Sequence, residues 1–246
     1  MRTKMNSNEL RDHVHMTYIS LRYGICLLGF LLPIVLLVGG LTINVSWQDS
    51  ISQYYHTPLR DLFVGSLFGI GAFLYLYKGF SREENIALNI SGIALLGVAL
   101  FPISINQENL EYRQPHADSM ESSLSWIGLS AQASETIHIM SALLFFFSIA
   151  YVCIRCAGDT LHLIDDPQRR SELKLRYTQL GVLMIVVPSL AAVLDLFDVG
   201  DQYHVVFMVE WGAILVFSSY WWTKSREFKG LLDVPEVVIC EVASPP

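Results

Sequence analysis

Seven ionisable residues lie within or at the ends of apolar stretches: His56, Asp61, Glu135, His138, Asp195, His204 and Glu210. Imidazole and carboxylate groups hold metal ions, zinc among them, and exchange protons near neutral pH. Three such ligands with an open position for water would support hydrolysis. His56, His138 and His204 are the candidate zinc ligands. Glu135 and His138 are three residues apart, so a helix places them on one face. No H-x-x-x-H or H-E-x-x-H spacing puts two ligands on one helix. Glu210 lies deepest in its stretch and needs a partner, for which His138, His56 and Arg60 are the candidates. Ser50, Ser52 and Ser141 are the candidate nucleophiles near these histidines, though no nucleophile elbow surrounds them. The competing reading is capping. His and Asp at helix ends are often simply hydrated, and a buried hydrogen-bonded pair at Glu210 requires no chemistry.

These residues must be positioned by membrane-spanning helices. The chain has 246 residues, 52% of them hydrophobic and 16% charged. A soluble domain carries about 25% charged residues. Mean hydropathy is +0.42 and the sequence pI is 5.4. This composition excludes a disordered chain, and a net charge of −7 with that pI excludes a nucleic-acid partner. Four cysteines are too few for a disulfide scaffold. An integral membrane protein remains, with membrane lipids as its partners. Roughly 20 apolar residues cross a hydrocarbon core as a helix. Six stretches meet this length, near residues 23–43, 59–76, 86–103, 135–154, 178–196 and 203–222. The fold expected is an all-α, single-domain bundle of six transmembrane helices.

The basic residues supply an orientation. With the N-terminus cytoplasmic, every Lys and Arg except Arg60 and Arg113 falls on the inner side. That is the positive-inside rule, and it places both termini in the cytoplasm. The acidic residues do not follow this split. Cys26, Cys153 and Cys156 fall in inner halves and Cys240 in the tail, so no disulfide is expected. The Cys153-x-x-Cys156 spacing reads as packing at the end of an apolar helix.

Local signals mark the span ends. Thr57-Pro58 suits a helix start and Asp61 its first turn. Trp47, Tyr54 and Tyr55 read as outer-interface anchors, and Trp221, Trp222 and Lys224 as inner ones. Gly65-x-x-x-Gly69 invites a close helix contact. Asn89 and Ser91 read as hydrogen bonds between helices, and Pro188 as a kink. An outer loop of residues 104–134 contains Ser119 to Ala131, read as a short helix on the membrane surface or a cap on the bundle. The inner halves of the spans hold few ionisable groups, which argues against a continuous polar path.

Three stretches carry a resemblance. They are Ser50 to Gly65 (SISQYYHTPLRDLFVG), Gly92 to Pro102 (GIALLGVALFP) and Ile137 to Phe147 (IHIMSALLFFF). Together, over residues 45–155, they resemble a group of mostly prokaryotic six-span membrane proteins of unassigned function. A weaker likeness surrounds Glu210 and Trp211. A more distant likeness is to the alkaline ceramidase-type membrane hydrolases, which use a Ser, an Asp and three His around zinc. That resemblance offers His56, Asp61, His138 and His204 for the zinc site. The chain differs in having six spans, no paired C-terminal His motif and its cluster on the outer side.

The expected function is a polar pocket at the outer face of the plasma (inner) membrane. It would bind a lipid headgroup, a cation or a small solute. The alternatives are a metal-dependent hydrolase of lipid amide or ester bonds, and a proton- or cation-coupled transporter using Glu210 and Asp195.

Overall fold

The computed structural model describes residues 7–105, 128–197 and 204–232. Within them the chain is all-helical. Six α-helices run α1 Ser7–Thr42, α2 Arg60–Leu76, α3 Arg82–Leu100, α4 Ala131–Tyr151, α5 Pro167–Leu196 and α6 Val205–Leu232. A 3-10 turn, Ser52–His56, lies between α1 and α2, and a π-helical turn, Val152–Cys156, extends α4. The α1–α2 connection starts at Asn44, whose positive φ of 56° turns the chain while Ile43 N and Val45 N donate to Gly40 O. Each helix packs against its neighbours in sequence, and α6 packs back on α1, closing a ring.

Five helical segments are long and apolar enough to cross a membrane: His13–Thr42, Arg82–Leu100, Ala131–Leu163, Pro167–Leu194 and Val205–Gly230. Their large side chains also point outward. Leu27, Val38, Ile93, Met140, Val186 and Met208 are all exposed. Soluble monomers rarely present contiguous apolar surface on this scale. The architecture is that of an integral membrane protein.

Close backbone approach tightens the ring. A Cβ on Gly92 would sit 2.7 Å from Gly71 O, so α2 and α3 nearly touch there. Ser141 occupies the space beside Gly97 between α3 and α4, and Ile154 the space beside Gly181 against α5. Gly65, expected at a contact, meets nothing within 4 Å, while Gly69 packs on Leu28 of α1. The tightest contact of α2 is therefore on the Gly71 side, away from Gly65.

Helix starts follow their caps. Ser81 Oγ accepts from Glu84 N, and Glu84 Oε2 accepts from Phe80 N at 2.6 Å. Ser130 Oγ accepts from Ala133 N and opens α4. Thr57 belongs to the turn before α2, where its Oγ1 accepts from Leu59 N, and the helix itself begins at Arg60. Helices α1, α5 and α6 extend well beyond the expected spans, because polar turns continue a helix without an apolar signature. Tyr54, Tyr55 and Trp221 are buried in the core and anchor no interface, whereas Trp222 is exposed. Ser91 Oγ donates to Ala87 O within α3, and Asn89 Oδ1 meets no partner among the described residues. Most of Ser119 to Ala131 lies outside the described residues, as do Arg113 and Cys240.

Candidate functional site

A cavity of about 140 Å³ occupies the middle of the ring. All six helices line it, with Leu32, Leu67, Leu95, Phe145, Ala191 and Phe217 typical of its wall. Among the described residues, its only polar side chains are Ser52, His138 and Glu210. The expected pocket was polar. The one found is a hydrocarbon chamber with a polar end.

His138 is the best-defined member of that end. It is buried, and Nδ1 lies 2.8 Å from Phe101 O. A carbonyl oxygen only accepts, so Nδ1 carries the proton. Nε2 of the neutral ring is then an acceptor, and the Ser52 hydroxyl donates to it at 2.9 Å. Ser52 opens the 3-10 turn, 86 residues away in the chain.

The position of His138 comes from an extended segment after α3. Pro102 lacks an N–H and the helix stops at Leu100, leaving carbonyls that need donors. Four consecutive carbonyls receive one side chain each. Phe101 O accepts from His138, and Pro102 O from Ser134 Oγ at 2.9 Å. Ile103 O accepts from His56 Nε2 at 2.7 Å, and Ser104 O from Gln53 Nε2 at 2.9 Å. Ser104 Oγ in turn donates to Glu135 Oε2 at 2.6 Å. His56, Glu135 and His138 thus meet around this segment.

The other predicted residues are placed differently. Glu210 Oε2 accepts from Ile51 N at 2.6 Å and so touches the residue before Ser52. Arg60, one of its expected partners, donates to Tyr55 Oη at 2.6 Å. His204 stacks on Trp47 with centroids 4.8 Å apart, and its Nδ1 lies 3.4 Å from Asp49 Oδ1. Its φ of 50° is unusual for a non-glycine residue, and these contacts hold it there. Asp61 is exposed in the first turn of α2. Asp195 lies in the last turn of α5, but its side chain lies outside the described residues.

The three histidines do not fit a zinc centre. His138 has committed both nitrogens and His56 its Nε2, while His204 faces Asp49 across a Trp47 stack. Among the described residues, no three His, Cys, Asp or Glu side chains gather as a metal site.

The opposite end of the ring holds a charged network that the sequence did not reveal. Arg22, Lys224, Glu227 and Glu84 are all buried. The side chain of Arg22 donates through Nε and Nη2 to Tyr77 Oη and through Nη1 to Lys224 O. It also lies 4.7 Å from the Phe228 ring centroid. Burial pushes the Tyr77 hydroxyl up, against the opposing Arg22 charge, so it stays neutral. Lys224 Nζ donates to Ala157 O at 2.8 Å, Thr160 Oγ1 at 2.6 Å and Glu227 Oε2 at 3.1 Å. Glu227 also accepts from Thr160 and Tyr177. Sequence alone reads these residues as inner-loop charges and interface anchors, and the inner halves as poor in ionisable groups. The i, i+3 pair Lys224 and Glu227, one turn past the two tryptophans, was the available signal. Cys26, Cys153 and Cys156 are free and buried nearby in the helices, and Cys26 Sγ donates to Ser218 O.

The chain matches no family model, no curated protein and no solved structure.

Proposed function

We propose that this chain is a six-span membrane protein that binds a small amphipathic molecule in its central cavity. The observation that carries the reading is the cavity itself, apolar on every described side except at Ser52, His138 and Glu210. An engineered apolar cavity of about 150 Å³ accepts benzene, so this chamber suits a hydrocarbon group of roughly six carbons. The hydrogen-bonding group of the ligand belongs at the polar end. That narrows the expected ligands to an amphipathic solute or the short-chain part of a lipid, and leaves a bare cation poorly served. Leu143 and Phe146 of α4 and Ala192 of α5 line the chamber and are half-buried. This supports entry from the bilayer on the α4–α5 side.

The sixth span of this reading is α2. Its 17 residues reach about 26 Å at 1.5 Å per residue, near the short limit for crossing. Its charges, Arg60 and Asp61, are confined to its first two residues. The distribution of Lys and Arg supports cytoplasmic termini, which puts the Ser52–His138 end outside and the Lys224 end inside. A plasma (inner) membrane location and the likeness of residues 45–155 to the six-span group belong to the same reading. Among the described residues, zinc hydrolysis finds no ligand set to support it. A transport path between the polar ends would have to cross Leu67, Leu95, Phe145 and Phe217.

The test is photolabelling in lipid nanodiscs with a six-carbon alcohol bearing a diazirine, mapped by peptide mass spectrometry. Label at Leu67, Leu95 or Ala142, displaced by excess 1-hexanol, is the expected result. Label confined to outward residues such as Leu144 and Val186 would remove the reading.

A further inference from the structure

We infer that Ser52 and His138 form a nucleophile–base pair that cleaves short-chain carboxylic esters held in the central cavity. The inference rests on the binding reading above and adds a reaction to it. Three features of the structure point the same way. The order of groups is that of an activated nucleophile, with hydroxyl, imidazole and orienting acceptor in a chain. Ser52 Oγ is 2.9 Å from His138 Nε2, and His138 Nδ1 is 2.8 Å from Phe101 O. The carbonyl fixes the tautomer that leaves Nε2 ready to take the serine proton. Finally, both side chains border the cavity, whereas Ser134, His56, Gln53 and His204 of this end are turned to backbone carbonyls or to Asp49. A merely structural hydrogen bond between a turn and a helix has no need to face a hydrocarbon chamber.

The reaction balances without a metal or redox partner. Ser52 Oγ attacks the ester carbonyl carbon as its proton passes to His138 Nε2. The ester C–O bond breaks, and the leaving alcohol takes that proton from His138. An acyl ester of Ser52 remains, with its chain in the cavity. Water then gives a proton to His138 and attacks the acyl carbon. The carboxylic acid departs, and the proton returns to Ser52. Phe101 O is neutral, so it orients the ring without the charge that a carboxylate would lend the imidazolium. Slow turnover is the expected consequence. Chamber volume sets the substrate: acyl chains near six carbons fit, and chains beyond about eight do not.

The experiment uses the full chain in nanodiscs, a hexyl fluorophosphonate as covalent probe and p-nitrophenyl esters of two to twelve carbons. Ser52→Ala and His138→Gln are compared with the wild type, and each is photolabelled in parallel with the six-carbon diazirine alcohol. The expected result is a phosphonyl adduct on the Ser52 peptide, falling at least 100-fold in His138→Gln. Ester turnover should peak at four to six carbons and vanish in Ser52→Ala. Wild type that photolabels in the cavity but leaves Ser52 unmodified and the esters intact overturns the reaction and keeps the binding reading. Ester hydrolysis that persists in Ser52→Ala also overturns it. Failure of both photolabelling and modification removes both.

Discussion

The two ends of the helix ring use hydrogen-bonded polar side chains to opposite effect. At the Lys224 end, donors and acceptors are turned on one another. Lys224, Glu227, Thr160 and Tyr177 form one closed set, and Arg22 spans α1, the α2–α3 connection and α6. At the Ser52 end, His138, Ser134, His56 and Gln53 satisfy the four carbonyls after α3, while Ser52, His138 and Glu210 face a cavity. A closed network holds helices together. A network with members facing an apolar chamber can also receive a ligand. The burial of a charge is therefore no guide to function by itself, and where its hydrogen bonds end is the better guide.

The comparison breaks most readily at Lys224. Lys224→Ala leaves Glu227 buried without its cation, and such losses cost about 3–5 kcal/mol. A large drop in melting temperature in detergent is expected, with photolabelling per folded molecule unchanged. Lys224→Met combined with Glu227→Met should recover much of that loss, because neither partner is then left charged. If the double variant is no better than the single one, the closed-set account of this end is wrong.

Two intermediate effects sharpen the contrast. Gly92→Leu forces a side chain against Gly71 O and should cost about 1–3 kcal/mol through overpacking, read in the same melting assay. His138→Ala strips Phe101 O of its donor, with an expected cost of about 1–3 kcal/mol. Unlike Gly92→Leu, it should also abolish modification of Ser52. The smallest effect is expected at Asp61, which is exposed in the first turn of α2. Asp61→Asn gives up only a helix-dipole interaction, about 0.3–1 kcal/mol, and should leave photolabelling untouched.

The number of helices and their order were legible because long apolar runs have few alternatives. Their true ends were not. Residues 7–22 of α1 and 167–177 of α5 are polar enough to read as loop, yet they continue the helices. His138 was legible as a candidate from its place at the head of an apolar helix. Ser52 was one of three candidate serines, but which of them meets His138 was not legible, because Ser52 lies 86 residues away and only the packing of α4 beside the Ser52–His56 turn joins them. Arg22 and Lys224 misled for a related reason. Counting charges gives the side of the membrane, but whether a charge is solvated or enclosed depends on Tyr77, Thr160 and Glu227, which no count includes.

The central claim is that the chamber receives a hydrocarbon group of limited size. It is tested most directly by displacing the cavity photolabel with linear alcohols of four to twelve carbons, in wild type and in Ala142→Phe, which fills the chamber. The account predicts strongest displacement near six carbons, weakening beyond eight, and no specific label in Ala142→Phe. Displacement that strengthens steadily to twelve carbons, and does so equally in both proteins, would show partition into lipid and contradict the claim.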